Sequence, residues 1–235
     1  WTTTPWTLPS NTALCVGPKI EYVAVQSFNP YTGEPATYVC AKALLNAHFN
    51  PKAADIAFED YKPGDKLVPF KVVAEYKGTD LVGMKYEQLL PWITPENADQ
   101  AFRVIPGDYV TTEDGTGIVH IAPTFGADDA KVAKAAGIPP LQLIDKNGNL
   151  RPSVDLTGKF YLLSDLDDEY VKTHINVEEY KQFEGRFVKN AYDKNLTDKD
   201  ESLDVSICML MKATNKAFKI EKHVHNYPHC WRTDK

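Results

Sequence analysis

Short runs that alternate apolar and polar residues, or concentrate β-branched and aromatic ones, recur along the first half of the chain. They are Glu21–Val25, Ala36–Cys40, Phe70–Ala74, Phe102–Ile105 and Ile118–Ile121, each read as a strand. Asn29-Pro30-Tyr31-Thr32-Gly33 lies between the first two and is a turn signal, so those two are expected to pair as a hairpin. Gly78, Gly83, Gly107, Gly115 and Gly117 punctuate the central strands, a pattern suited to tight corners. Helical patterns are fewer: Ala41–Phe49, Ala127–Ala136 (stopped by Gly137-Ile138-Pro139-Pro140), stretches within Asp165–Tyr192, and Glu201–Ala213. The expected fold is mainly β with peripheral α-helices, its sheet a closed or nearly closed barrel. Residues 150–200 are rich in Asp, Glu, Lys and Tyr and are read as a peripheral helical excursion within a single domain spanning 1–235.

Composition changes this picture little. A chain of 235 residues with 43% hydrophobic and 25% charged residues has enough material for a well-buried core and is not disordered in bulk. No apolar run approaches the roughly 20 residues of a membrane span. The start on Trp1 and the stop just after Tyr227–Arg232 both read as cuts through a larger protein. Cys15, Cys40, Cys208 and Cys230 form no Cys-x-x-Cys pair, which favours free thiols in the cytoplasm. A formal charge of −6 argues against binding nucleic acid by phosphate neutralisation alone.

Two stretches carry candidate chemistry. The first is Trp1-Thr2-Thr3-Thr4-Pro5-Trp6-Thr7-Leu8-Pro9-Ser10-Asn11. Four hydroxyls in seven residues are costly to bury without partners. A strand ending at Pro5 would place Thr2 and Thr4 on one face and Thr3 on the other, with Trp6 and Thr7 turned onto a rim. An edge strand rich in threonine for its β propensity accounts for the same residues. A threonine nucleophile with a free amine is disfavoured, because Trp1 precedes Thr2.

The second stretch runs from Gly115 to Asp129: a glycine turn, a strand carrying His120, the loop Pro123-Thr124-Phe125-Gly126, then a helix opening on Asp128 and Asp129. Those carboxylates complement the helix dipole, which alone would explain them. A carboxylate held there by backbone amides stays ionised, making it a good anchor for an ammonium group and a poor general base. His120 by itself is ambiguous between a structural and a functional role.

Together these stretches resemble the editing (CP1) domain of isoleucyl-tRNA synthetases, of the Val/Ile/Leu editing type. Thr4 and Trp6 stand where leucyl and valyl relatives typically carry Arg and an acidic residue, and Gly115–Pro123 matches the Gly-Thr-Gly-x-Val-His-x-Ala-Pro motif. The family's aspartate, nine residues after the histidine, maps onto Asp129. Gly78–Tyr86 looks like the family's Gly-x-x-Leu-x-Gly-x-x-Tyr strand, and Tyr227–Arg232 like the return to the synthetic core. Phe125-Gly126 replaces the His-Gly of many bacterial members and looks like the eukaryotic-type branch. Thr233 stands where many relatives have a second Cys, so His223, His225, His229 and Cys230 are expected to hold no metal.

The resemblance implies proofreading of valine attached to isoleucine tRNA. One methylene is worth only about 1–3 kcal/mol in an apolar pocket, a difference already known for this class of enzyme, so a second, size-excluding site is needed. Asp129 would bind the α-ammonium, and His120 would wall the side-chain pocket. Thr2, Thr3, Thr4, Thr7 and Asn11 would hold the ester carbonyl, the terminal adenosine and an attacking water, with Trp6 as a packing or adenine contact. The implied partners are the 3′-terminal aminoacyl-adenosine of isoleucine tRNA, valyl-adenylate and the parent catalytic body; no cofactor is implied. No Ser-His-Asp or Cys-His signature is visible, and no adenylation motif, so this segment is not expected to aminoacylate. A tRNA-docking module without hydrolytic activity and a generic hydrolase of small esters remain the rival readings.

Overall fold

The computed structural model describes residues 1–222. The first element is a 3-10 helix, Pro5–Ser10, followed by strands β1 (Ala13–Val16), β2 (Glu21–Phe28) and β3 (Pro35–Ala41). Short helical turns lead through α1 (Leu45–His48) to β4 (Lys71–Lys77), α2 (Gly78–Leu81), β5 (Arg103–Pro106) and β6 (Ile118–Ile121). Then come α3 (Ala127–Ala135), the small strands β7 (Leu143–Ile144) and β8 (Leu150–Arg151), α4 (Asp168–His174), α5 (Val177–Tyr180) and α6 (Leu203–Ala213). No helix among the described residues is long and apolar enough to cross a membrane.

The strands pair as two three-stranded sheets, ordered β5-β1-β6 and β3-β2-β4, and a two-stranded β7-β8 hairpin. The fold is thus a mixture of sheets and helices, and among the described residues no closed barrel is found. The β2–β3 hairpin forms with the expected antiparallel register, Tyr22 opposite Ala41 through Phe28 opposite Pro35. Gly33 at φ 76° supplies the left-handed residue its turn needs. The central strand of the first sheet, β1, is a four-residue apolar run bounded by Gly17-Pro18; it pairs parallel to β5 and antiparallel to β6. Gly117, at φ 73°, opens β6, and a Cβ there would lie 2.5 Å from that of Ala41. Only glycine lets this corner approach the end of β3.

The threonine run is not a strand. Pro5 occupies the first turn of the 3-10 helix, where its fixed φ and missing N–H are tolerated, and Thr7, Pro9 and Ser10 are buried along it. The run from Gly78 to Tyr86 is likewise not a strand: α2 is a single turn, Gly83 is left-handed at φ 87°, and only Lys85 bridges to Arg103. A Cβ on Gly78 would lie 1.9 Å from the Gly17 carbonyl oxygen, so the close chain approach there explains the glycine.

The largest apolar cluster draws Leu90, Trp92 and Ile93 together with Leu141, Leu143 and, from residues 150–200, Val154, Phe160, Leu166, Tyr170, Tyr180 and Phe183. Trp92 stacks on Phe183 at 4.2 Å between ring centres. The segment 150–200 therefore holds short helices whose aromatic and branched residues are buried, while its charged residues face outward. Leu203 and Ile207 of α6 close the cluster. The run Tyr227–Arg232, with His223, His225, His229 and Cys230, lies outside the described residues.

Candidate functional site

His120 brings the two motifs together. It lies on β6 opposite Leu14 and is 9% exposed. Side chains alternate along a strand, so His120 faces away from Ile121, which packs with Ala13, Cys15 and Ala133 of α3 on the other face of the sheet. Its Nε2 lies 3.0 Å from the Thr7 hydroxyl and its Nδ1 2.8 Å from the Asn11 amide nitrogen. The Asn11 Nδ2 also donates to the Ala13 carbonyl at 2.9 Å, and a backbone carbonyl only accepts. The amide nitrogen therefore faces His120, so Nδ1 accepts and Nε2 carries the proton. Nε2–H donates to Thr7, whose hydroxyl donates to the Thr4 carbonyl at 2.8 Å.

The hydroxyl chain continues outward. Thr4 Oγ1 is 3.4 Å from Thr7 Oγ1 and 3.3 Å from Thr2 Oγ1, and the Thr4 N–H donates to Thr2 Oγ1 at 3.1 Å. Thr4 is exposed and Thr2 half-buried, so the network runs from a buried histidine to hydroxyls at the surface. Thr3 is half-buried and enters no side-chain hydrogen bond of this network. Burial holds the His120 pKa down at about 4. The ring is neutral at physiological pH and both nitrogens are engaged, so it is held in place and is not a free base.

Trp6 joins the motifs a second time, packing edge-on against Phe125 at 4.9 Å. Its backbone N–H donates to Asp204 Oδ1 at 2.8 Å, pinning the 3-10 helix to α6. Burial raises the Asp204 pKa, opposed by that hydrogen bond and by Lys189.

Asp129 takes its place differently. Its Oδ2 accepts from the Ala122 N–H at 2.8 Å, folding the start of α3 back onto the loop that leaves β6. Gly126 makes room, since a Cβ there would lie 2.7 Å from the Asp129 carboxyl carbon. Asp128 is exposed, so the two adjacent carboxylates have different surroundings. The backbone-amide contact expected at Asp129 is present, but burial is the larger effect and raises its pKa, the Ala122 N–H opposes it, and Asp128 adds to the rise. The structure thus brings Thr4, Thr7, Asn11 and His120 into one network with Thr2 at its edge. Asp129, on α3, sets its carboxylate against the Ala122 N–H just past β6 without hydrogen-bonding to that network.

Sequence reasoning assigned no role to Asp204 or Tyr86. Asp204 resembles any acidic residue in a helical first turn, so nothing in the sequence marks it. Tyr86 ends a run recognised by its glycines, and its hydroxyl donates to Asn11 Oδ1 at 2.5 Å.

Over its full length the chain is 78% identical to the isoleucine–tRNA ligase of Bacteroides fragilis, across 235 residues. It belongs to the isoleucine–tRNA ligase family. The chain spans 20% of that relative's length and is a segment-sized match to it. The cytoplasmic isoleucine–tRNA ligase of Arabidopsis thaliana is 37% identical over 248 residues, covering 100% of this chain and 18% of that one. Among solved structures, the editing domain of the cytosolic leucyl-tRNA synthetase of P. knowlesi is similar at a TM-score of 0.43 and 14% identity, covering 92% of this chain and 80% of that one. No protein-family model matches the chain.

Proposed function

We propose that this segment of the isoleucine–tRNA ligase family is its editing domain, which hydrolyses the ester of valine misattached to isoleucine tRNA and acts on valyl-adenylate as well. The observation that carries the reading is the chain of hydrogen bonds from Asn11 through His120 and Thr7 to Thr4 and Thr2. It places fixed hydroxyls at a surface edge beside a rigid, neutral ring. Such an edge can hold an ester carbonyl and a water in attacking geometry, contributing to catalysis by positioning. His120 and Thr7 limit the depth available to the amino-acid side chain, admitting valine and excluding the extra methylene of isoleucine.

Asp129, on α3 with its carboxylate against the Ala122 N–H just past β6, anchors the α-ammonium. A cation arriving beside it would favour its charged form and offset the burial that raises its pKa. Trp6, braced on Phe125, and the outer threonines, Thr3 among them, receive the terminal adenosine. The parent catalytic body supplies the tRNA affinity that this acidic segment lacks, and the reaction takes place in the cytoplasm.

The test is single-turnover hydrolysis of valyl- and isoleucyl-tRNA by wild type, Asp129→Ala and Asp129→Asn. Asparagine retains an acceptor for the Ala122 N–H but has no charge. Both variants are expected to lose valine clearance, with Asp129→Asn keeping wild-type thermal stability. Retained clearance in Asp129→Asn would remove the anchoring role, and equal hydrolysis of both esters by wild type would remove the size filter.

A further inference from the structure

Tyr86 grips the Asn11 amide from the side opposite His120, and the reading above gives it no task. We propose that Tyr86 is a positioning residue of the hydrolytic site, acting through Asn11 to fix the proton on His120 and, through it, the direction of the Thr7 hydroxyl. The proposal rests on the editing reading for its catalytic consequence; its structural half stands alone.

The argument begins with the two ends of one amide. The nitrogen end of Asn11 is committed to the Ala13 carbonyl and to His120 Nδ1, at 2.9 and 2.8 Å. The oxygen end faces Tyr86, whose hydroxyl donates to it at 2.5 Å. Asn11 is 4% exposed, so without that hydroxyl its oxygen would be buried with no donor. The amide would then turn, or draw water into the gap. Either response loosens its donation to Nδ1, and the imidazole proton is no longer confined to Nε2. A proton on Nδ1 turns the Thr7 hydroxyl away from the Thr4 carbonyl and toward Nε2, reversing the hydroxyl chain at the reacting edge.

Tyr86 is itself held firmly. Its N–H donates to the Phe102 carbonyl at 2.9 Å, and its ring meets that of Phe102 edge-on at 6.0 Å. Phe102 has φ 55°, an uncommon conformation for an aromatic residue. Its own N–H donates at 2.7 Å to the carbonyl of Thr12, the residue after Asn11. One strained residue therefore ties down both members of the Tyr86–Asn11 pair, where such strain persists only because the surroundings enforce it. Burial raises the Tyr86 pKa well above the usual phenol range, keeping the hydroxyl a donor.

The experiment reads the ring nitrogens directly. In chain labelled with 15N-histidine, the His120 signals are those lost in His120→Gln. Wild type is expected to show a neutral ring protonated on Nε2 at pH 7. In Tyr86→Phe the Nδ1 and Nε2 resonances are expected to move toward each other as the proton is shared between the two nitrogens, and kcat for valyl ester to fall roughly ten-fold at unchanged KM. In an Asn11→Ala background, adding Tyr86→Phe is expected to change the rate no further. Unmoved His120 nitrogens in Tyr86→Phe would overturn the proposal, as would shifted nitrogens with an unchanged rate, or effects of the two substitutions that simply add. A wild-type chain that hydrolyses no aminoacyl ester would instead refute the editing reading, and the nitrogen shifts would still judge Tyr86.

Discussion

A buried histidine whose ring nitrogens both meet neutral partners resists protonation, and in His120 that resistance is measurable as stability. Its pKa falls from 6.5 to about 4 in the folded chain. Between those values the unfolded chain binds a proton that the folded chain does not, so unfolding free energy rises with pH across this window and is lost as pH falls. The contribution is on the order of 3 kcal/mol. Asp129 and Asp204, raised by burial, act in the opposite sense: their stabilisation is present at low pH and lost as pH rises through their folded values. Urea midpoints between pH 4 and 7 are expected to rise more steeply in wild type than in His120→Gln; parallel curves would contradict the assignment. The residue types of this network were legible from the motifs, but its wiring was not. Thr7 and His120 lie 113 positions apart, and only the pairing of β1 with β6 brings their motifs into reach. For Asp129 the backbone amide that lowers its pKa was foreseeable, whereas the burial that raises it belongs to the tertiary fold.

At the scale of elements, the threonine run shows how a local pattern misleads. Threonine favours strands, yet Pro5 and Pro9 suit a 3-10 helix, and the Trp6 N–H finds its acceptor on α6 rather than on a neighbouring strand. Asp204→Ala removes that acceptor from a half-buried donor and is expected to destabilise the chain by about 1 kcal/mol. It is also expected to slow ester hydrolysis, because Thr7 sits on the helix it releases and Thr4 immediately precedes it. Stability and rate measured together check this, and a rate unaffected by the substitution would detach α6 from the site. The strands β2, β3, β4, β5 and β6 were readable from alternation and turn chemistry. β1 escaped notice because a fully buried run of four residues carries no alternation.

For the whole molecule, the sequence suggested a barrel with a polar helical excursion, whereas the described residues form separate sheets with their own small clusters, and the largest aromatic and aliphatic cluster gathers residues outside β1 to β6. Barrel closure depends on which strand edges meet, information that strand-by-strand patterns do not hold. Within 150–200 the buried Phe160, Tyr180 and Phe183 stand out as apolar in the sequence, but Val154, Leu166 and Tyr170 do not, because short helices bury one or two side chains each and show no sustained period. Trp92, 1% exposed and stacked on Phe183, joins this segment to the rest. Trp92→Ala is expected to cost about 3–5 kcal/mol, read as a lowered denaturant midpoint. The central claim is a size-selective site anchored by one carboxylate. It is tested most directly by calorimetric titration of the chain with hydrolysis-resistant valyl-adenosine and isoleucyl-adenosine analogues, repeated on Asp129→Ala. The account predicts binding of the valyl analogue alone, abolished in the variant. Equal binding of both analogues, or undiminished binding by Asp129→Ala, would contradict it.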